Sequence, residues 1–270
     1  MSRLNFPVGR PITGQKGEAT VNRPHTQPAI LITGAAKRLG RHLAEDCATH
    51  GWDVAIHYHH SRDDAQQVAE AIRRQGRRAV TIRADLADPQ QTAELVTKAN
   101  EQLGPLKALI NNASIFPKSS LAEMDLAALQ ANIGINAYAP LQLCRTFAAQ
   151  PNATGSIINM LDTRFIDYDR QHVAYHLSKR MLFSLTCMLA IELAPSIRVN
   201  AIAPGLILPP PGEDDAYLER LRHTNPLQAI GTPAQICAAA RFLLETEFVC
   251  GQTLFIDGGR HLKSAPYGST

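Results

Sequence analysis

The feature that most constrains this chain is an alternation that begins at residue 29. Short apolar runs at 29–33, 53–58, 79–84, 108–111, 156–160, 196–202 and 253–256 read as strands. Between them lie helical patterns at 39–49, 63–75, 90–103, 126–149, 173–193 and 233–244. Consecutive strands joined through helices can pair only in parallel. The pattern therefore predicts an α/β fold, a doubly wound parallel sheet of about seven strands with helices on both faces.

No break in composition divides residues 29–260, so the expected organisation is one domain over 29–262 with a tail at 263–270. Residues 1–28 are polar, rich in Pro and Gly, and basic (Arg3, Arg10, Lys16, Arg23). They read as a disordered extension or a transit peptide, and they lack the apolar stretch of a secretory signal. With 45% hydrophobic and 19% charged residues, the remainder is the composition of a folded domain. A net charge of +3 gives no case for nucleic acid. No apolar run reaches the roughly 18 residues of a membrane span. The five cysteines form no CxxC pair, which argues against a disulfide scaffold or structural zinc and fits a reducing, cytoplasmic setting. The helix at 173–193 places Met181, Leu182, Phe183, Leu185, Met188, Leu189 and Ile191 on nearly every side. Such a helix is expected to be buried all round, its outer face against another subunit.

Thr33-Gly34-Ala35-Ala36-Lys37-Arg38-Leu39-Gly40 joins the first strand to the first helix, the context of a dinucleotide fingerprint. Gly34 permits the tight turn, Gly40 close packing of helix on sheet, and the helix N-terminus offers N–H groups to a pyrophosphate. Lys37 and Arg38 add positive charge there. The second strand ends in His57-Tyr58-His59-His60-Ser61-Arg62, without the carboxylate that binds a ribose 2′-hydroxyl. Cationic and hydroxyl groups at Tyr58, His59, His60 and Ser61 suit a 2′-phosphate, so NADPH is the expected cofactor. The histidines lack Cys or acidic partners, and no metal is expected.

Tyr175 and Lys179 are four residues apart on the long helix, hence on one face. An ammonium near a phenol stabilises the phenolate, which makes a proton donor suited to completing a hydride transfer. Alone, such a pair is also an ordinary surface pair. Here it follows TGxxxxxG, Asn111-Asn112-Ala113 and Asn136, and precedes Pro204-Gly205. In that order, over about residues 29–262, these motifs resemble the short-chain dehydrogenase/reductase superfamily. The resemblance implies a Rossmann-type fold, NAD(P)H and a homotetramer. It implies Tyr175 as proton donor, Lys179 on the nicotinamide ribose and Asn136 holding a relay water. Asp85 and Leu86 would flank the adenine, and Asn112 and Ala113 would line the cofactor.

Two departures refine this. Arg38 stands where the family has Gly or Ala, and Asp162 stands where it has Ser, thirteen residues before the tyrosine. A Ser hydroxyl donates to a ketone oxygen, whereas an ionised Asp only accepts. That moves the expectation from C=O towards C=N reduction. Both departures resemble the pteridine reductases, which reduce pterins and folates with NADPH. By that resemblance Phe116 stacks on the pterin, Ser114 and Arg38 bond cofactor phosphate or pterin, and Asp162 supports Tyr175. Read as residues alone, Phe116 is also a core anchor and Asp162 a strand-end cap. The later chain, Pro204–Leu208 and Asp257-Gly258-Gly259-Arg260, is similar to bacterial dihydromonapterin reductases. In this comparison 206–217, including Leu206 and Leu208, forms a substrate lid, and Arg260 with the tail reaches a neighbouring subunit's site. A general carbonyl reductase and a non-catalytic NADPH sensor are the competing readings.

Overall fold

The computed structural model describes residues 27–167 and 170–263. Apart from 27, 28 and 263, the expected extension and tail lie outside the described residues. Strands β1 (Ala29–Ile32), β2 (Asp53–Tyr58), β3 (Ala79–Arg83), β4 (Leu106–Asn111), β5 (Gly155–Met160), β6 (Ile197–Pro204) and β7 (Thr253–Ile256) form one parallel sheet. Its order is β3-β2-β1-β4-β5-β6-β7, the doubly wound arrangement expected from the alternation. Helices α1 (Arg38–Thr49), α2 (Arg62–Arg74), α3 (Pro89–Leu103), α4 (Leu126–Ile133), α5 (Ala139–Ala148), α6 (Val173–Glu192), α7 (Asp215–Leu221) and α8 (Pro233–Glu245) complete it.

The strands are mainly apolar along their centres because both faces of the sheet are covered. Ile30 and Ile32 point into one layer, with Leu43 of α1, Val68 of α2 and Leu243 of α8. Ala29 and Leu31 point into the other, with Leu95 of α3, Leu143 of α5 and Leu189 of α6. Each fully buried Leu or Ile contributes roughly 1.5–3 kcal/mol relative to exposure. The strand order reverses between β1 and β4, where Ile32 pairs with Ile110. That switch point opens a crevice at the carboxyl ends of the strands, the usual ligand site of such a sheet.

One expectation is corrected. The helical pattern at 126–149 is interrupted: Gly134–Tyr138 is a π-helical turn in which the Ala139 N–H bonds the carbonyl five residues back. Pro140 explains this in part, since it has no N–H for the carbonyl of Asn136, four residues earlier. The helix α7 overlaps the end of the segment 206–217 read as a lid. On α6, the outer face expected to meet another subunit is exposed in the single chain. Leu182 and Leu189 are buried, but Met188 is 64% and Ile191 82% exposed.

Candidate active site

The residues singled out by sequence gather along the carboxyl edge of the sheet. Gly34 turns with φ +62°, and a Cβ on Gly40 would lie 2.2 Å from the Gly34 carbonyl oxygen, so both glycines are required by the turn. Asn112 donates its amide to the carbonyls of Thr33 and Gly34 at 2.8 and 3.3 Å. The Thr33 hydroxyl accepts the backbone N–H groups of Asn112 and Ala113 at 2.9 and 3.0 Å. The Asn112 side chain thus braces the phosphate turn. Arg38 takes a left-handed backbone at φ +53°. That conformation explains why a Gly suits the position, and strain of this kind costs of order 1–3 kcal/mol. Its guanidinium reaches across the crevice to the Pro209 carbonyl. Lys37 is exposed and paired with Asp64 at 3.0 Å. Leu39 packs against the core.

At the end of β2, His57 is buried. Its Nδ1 accepts the Gly34 N–H at 3.1 Å, and its Nε2 lies 3.1 Å from the Ala84 carbonyl. These bonds define a neutral ring protonated on Nε2. Burial, reinforced by His59 and opposed by the Ala84 bond and Asp85, pushes its pKa down to about 4. His57 therefore ties the phosphate turn to the end of β3. Beyond it, Tyr58, His59, His60, Arg62 and Arg83 line a cleft of about 260 Å³. Tyr58 is buried to 8% exposure, and Ser61 is the N-cap of α2 without a side-chain cap bond. Arg83 was missed by sequence. It lies at the end of β3 and donates to the His59 carbonyl at 3.3 Å. Asp85 faces His59 at 3.7 Å, while Leu86 is buried in the core. The glycine turn and the basic cleft fit a dinucleotide with a 2′-phosphate. Gly34, Lys37, Arg38 and Gly40 would hold its pyrophosphate, and Arg62, Arg83 and His60 the 2′-phosphate.

On the opposite side of the crevice, the Tyr175 hydroxyl donates to Asp162 Oδ2 at 3.2 Å. Asp162 Oδ1 accepts the Arg164 N–H at 2.8 Å and caps the 3₁₀ turn Thr163–Ile166. Asp162 thus caps the turn with one oxygen and meets Tyr175 with the other. Lys179 is buried and donates to the Met160 carbonyl at 2.7 Å, with Nζ 5.7 Å from the centre of the Tyr175 ring. Burial, partly offset by Asp162, lowers its pKa to about 8. Asn136, in the π-helical turn, clasps Ile115. Its Oδ1 accepts the Ile115 N–H at 2.9 Å, and its Nδ2 donates to the Ile115 carbonyl at 3.1 Å and to Ser178 Oγ at 3.0 Å. Asn136 thereby holds the loop that carries Ser114 and Phe116.

Phe116 is not a core anchor. It is 40% exposed, its ring edge-on to Tyr175 at 4.6 Å and stacked on His172 at 3.9 Å. Sequence reasoning missed His172, which heads α6 without making a side-chain cap bond. Ser114 is exposed beside this wall. Gly205 follows β6, where a Cβ would come within 2.6 Å of Asp257. Pro204 and Gly205 thus admit β7 close to the site. The segment expected to form a lid is anchored at its start. Leu206 and Ile207 are buried, Leu208 packs on the core, and the Gly231 N–H holds the Leu206 carbonyl at 2.8 Å. The exposed part runs over 211–216. Within its own chain Arg260 lies in electrostatic reach of Asp162 and Arg164. Residues 264–270 lie outside the described residues.

Residues 34–261 match the family model described as Enoyl-(Acyl carrier protein) reductase. The chain is a short-chain dehydrogenase/reductase. As such it is an NAD(P)-dependent oxidoreductase. This reductase is similar to the L-rhamnose 1-dehydrogenase (NAD(P)(+)) of Sphingomonas sp., with 30% identity over 86% of this chain and 96% of that one. It is 29% identical to pteridine reductase 1 of Leishmania tarentolae, covering 89% of this chain and 98% of the relative. The structure of FolM alternative dihydrofolate reductase 1 from Brucella canis, complexed with NADP, superposes with TM-score 0.81 and 35% identity. That match covers 87% of this chain and 94% of the other. Among the described residues no helix is long and apolar enough to cross a membrane.

Proposed function

We propose that this reductase uses NADPH to reduce a C=N bond of a dihydropterin or dihydrofolate to the tetrahydro form. The observation that carries the reading is the Tyr175–Asp162 bond of 3.2 Å beside the exposed ring of Phe116. Likeness to pteridine reductase 1 and to the Brucella FolM structure supports it. Bound NADPH supplies a hydride, which the substrate accepts at a ring carbon. Tyr175 gives its hydroxyl proton to the adjacent ring nitrogen. Asp162 orients that hydroxyl and, as a pure acceptor while ionised, favours a substrate that presents N–H groups. It disfavours a ketone, whose developing alkoxide it would repel. Lys179 stabilises the phenolate left on Tyr175. Phe116 offers a flat apolar face to a flat ring.

A carbonyl reductase is the second reading, favoured by the L-rhamnose 1-dehydrogenase at similar identity. The cleft of Arg62 and Arg83 supports NADPH over NADH. The exposed Met181, Met188 and Ile191 of α6 support self-association, expected as a homotetramer and testable by sedimentation. Product analysis tests the function. With NADPH deuterated at nicotinamide C4, a dihydropterin should yield a tetrahydropterin labelled on a ring carbon. Recovery of unreduced pterin beside a labelled alcohol from a ketone would contradict the proposal.

A further inference from the structure

Asp257, just past β7, is a buried anchor. Thr163 donates its hydroxyl to Oδ2. The His261 N–H donates to the same oxygen at 2.8 Å, with its ring Nδ1 at 2.9 Å, while the Gly259 N–H donates to Oδ1 at 2.9 Å. His261 also stacks on Phe255 at 4.0 Å. These contacts draw the 3₁₀ turn Arg260–Lys263 against the turn Thr163–Ile166 that follows Asp162. Arg164 and Arg260 are the residues next to the two anchored side chains.

Arg260 is half-buried, and it lies within electrostatic reach of Asp162, Arg164, Asp257 and Tyr217 of α7. Its backbone N–H bonds the Asp257 carbonyl at 3.2 Å. Among the described residues its guanidinium makes no hydrogen bond and no ion pair. The nearby carboxylates are engaged elsewhere: Asp162 by Arg164 and Tyr175, Asp257 by Thr163, Gly259 and His261. A half-buried guanidinium without an acceptor is costly, and its planar fork matches a carboxylate or a phosphate. Burial first, and then the neighbouring Arg164, hold its pKa below the ordinary arginine value, partly offset by Asp162, Tyr217 and Asp257.

We propose that Arg260, reinforced by the charge of Arg164, selects substrates whose ring carries an acidic substituent, a carboxylate or a phosphate ester, over those with a neutral side chain. The inference rests on the pterin reading and adds the charge of the substrate's tail and the residue that reads it. The test compares full-length enzyme and Arg260→Gln with dihydrofolate, dihydroneopterin monophosphate and neutral dihydrobiopterin, using NADPH. Wild type should show the higher kcat/KM on at least one acidic substrate, and which one names the source of the acid. Arg260→Gln should cut the acidic-to-neutral ratio of kcat/KM about tenfold or more, mainly through KM, as expected for loss of a charge-assisted bond. Arg260→Lys should restore part of the ratio, which a purely structural role would not produce. An unchanged ratio in Arg260→Gln, with dihydropterins still reduced, overturns this inference alone. Failure of wild type to reduce any of the three overturns it together with the pterin reading.

Discussion

Tyr175 donates its hydroxyl to Asp162 Oδ2 at 3.2 Å, from one turn inside α6 to the end of β5. The arrangement makes the phenol the acid of the pair and the carboxylate its orienting acceptor. Tyr175→Phe should abolish turnover while leaving NADPH binding intact by fluorescence titration. Asp162→Ser should lower dihydropterin turnover by about 100-fold, the usual scale for disturbing acid–base catalysis. It should affect a ketone side activity less. An equal loss on both substrate types would mean that Asp162 only caps the turn Thr163–Ile166.

Lys179 contributes the clearest pH dependence. Its pKa in the fold is lowered to about 8, so the ammonium is present below that pH and lost above it. The phenolate formed on Tyr175 then loses its stabilising charge. kcat should fall above about pH 8, and Lys179→Arg, which keeps its charge, should lack that alkaline limb. A limb of the same midpoint in the Arg variant would assign it to another group.

His57 carries a stability signature. Its pKa is depressed from 6.5 to about 4 in the fold, so its neutral ring stabilises the protein above pH 6.5 and loses that contribution as pH falls towards 4. The shift corresponds to about 3 kcal/mol. Urea unfolding between pH 7 and 4 should be less steeply acid-sensitive in His57→Gln than in wild type, although less stable at pH 7. Parallel pH profiles would mean that the ring is not held neutral.

The basic cleft predicts cofactor choice. Replacing Arg62 and Arg83 together with Ala should raise KM for NADPH by about 10–100-fold through lost charge-assisted bonds. KM for NADH should change little. Equal effects on both cofactors would remove the 2′-phosphate from this cleft.

The sheet was legible because its strands are short, mainly apolar runs separated by helices, a pattern set by burial on both faces. The grouping of Tyr175, Lys179 and Asp162 was legible because spacing along a helix, and the residue type at a strand end, survive in one dimension. What was missed depends on the third. Pro140 does signal a break in the helix at 126–149, but that the π-helical turn carries Asn136 against Ile115, a partner 21 residues away, does not show in sequence. Arg83 reads as any exposed strand-end arginine until β2 and β3 place it beside His60. His57 looks like one more surface histidine until its burial between Gly34 and Ala84 makes it neutral. His172 becomes informative only when Phe116 is found stacked upon it. The bonds from Asp257 that set the backbone around Arg260 have no sequence pattern either.

The most direct measurement is NADPH oxidation by full-length enzyme across dihydrobiopterin, dihydromonapterin, dihydrofolate, a 3-oxoacyl thioester and a sugar, with NADH in parallel. Turnover of a pterin or folate with NADPH, and little with the thioester or sugar, is the predicted result. Turnover of the thioester or sugar alone would contradict it, leaving Asp162 and Phe116 as features of a carbonyl reductase.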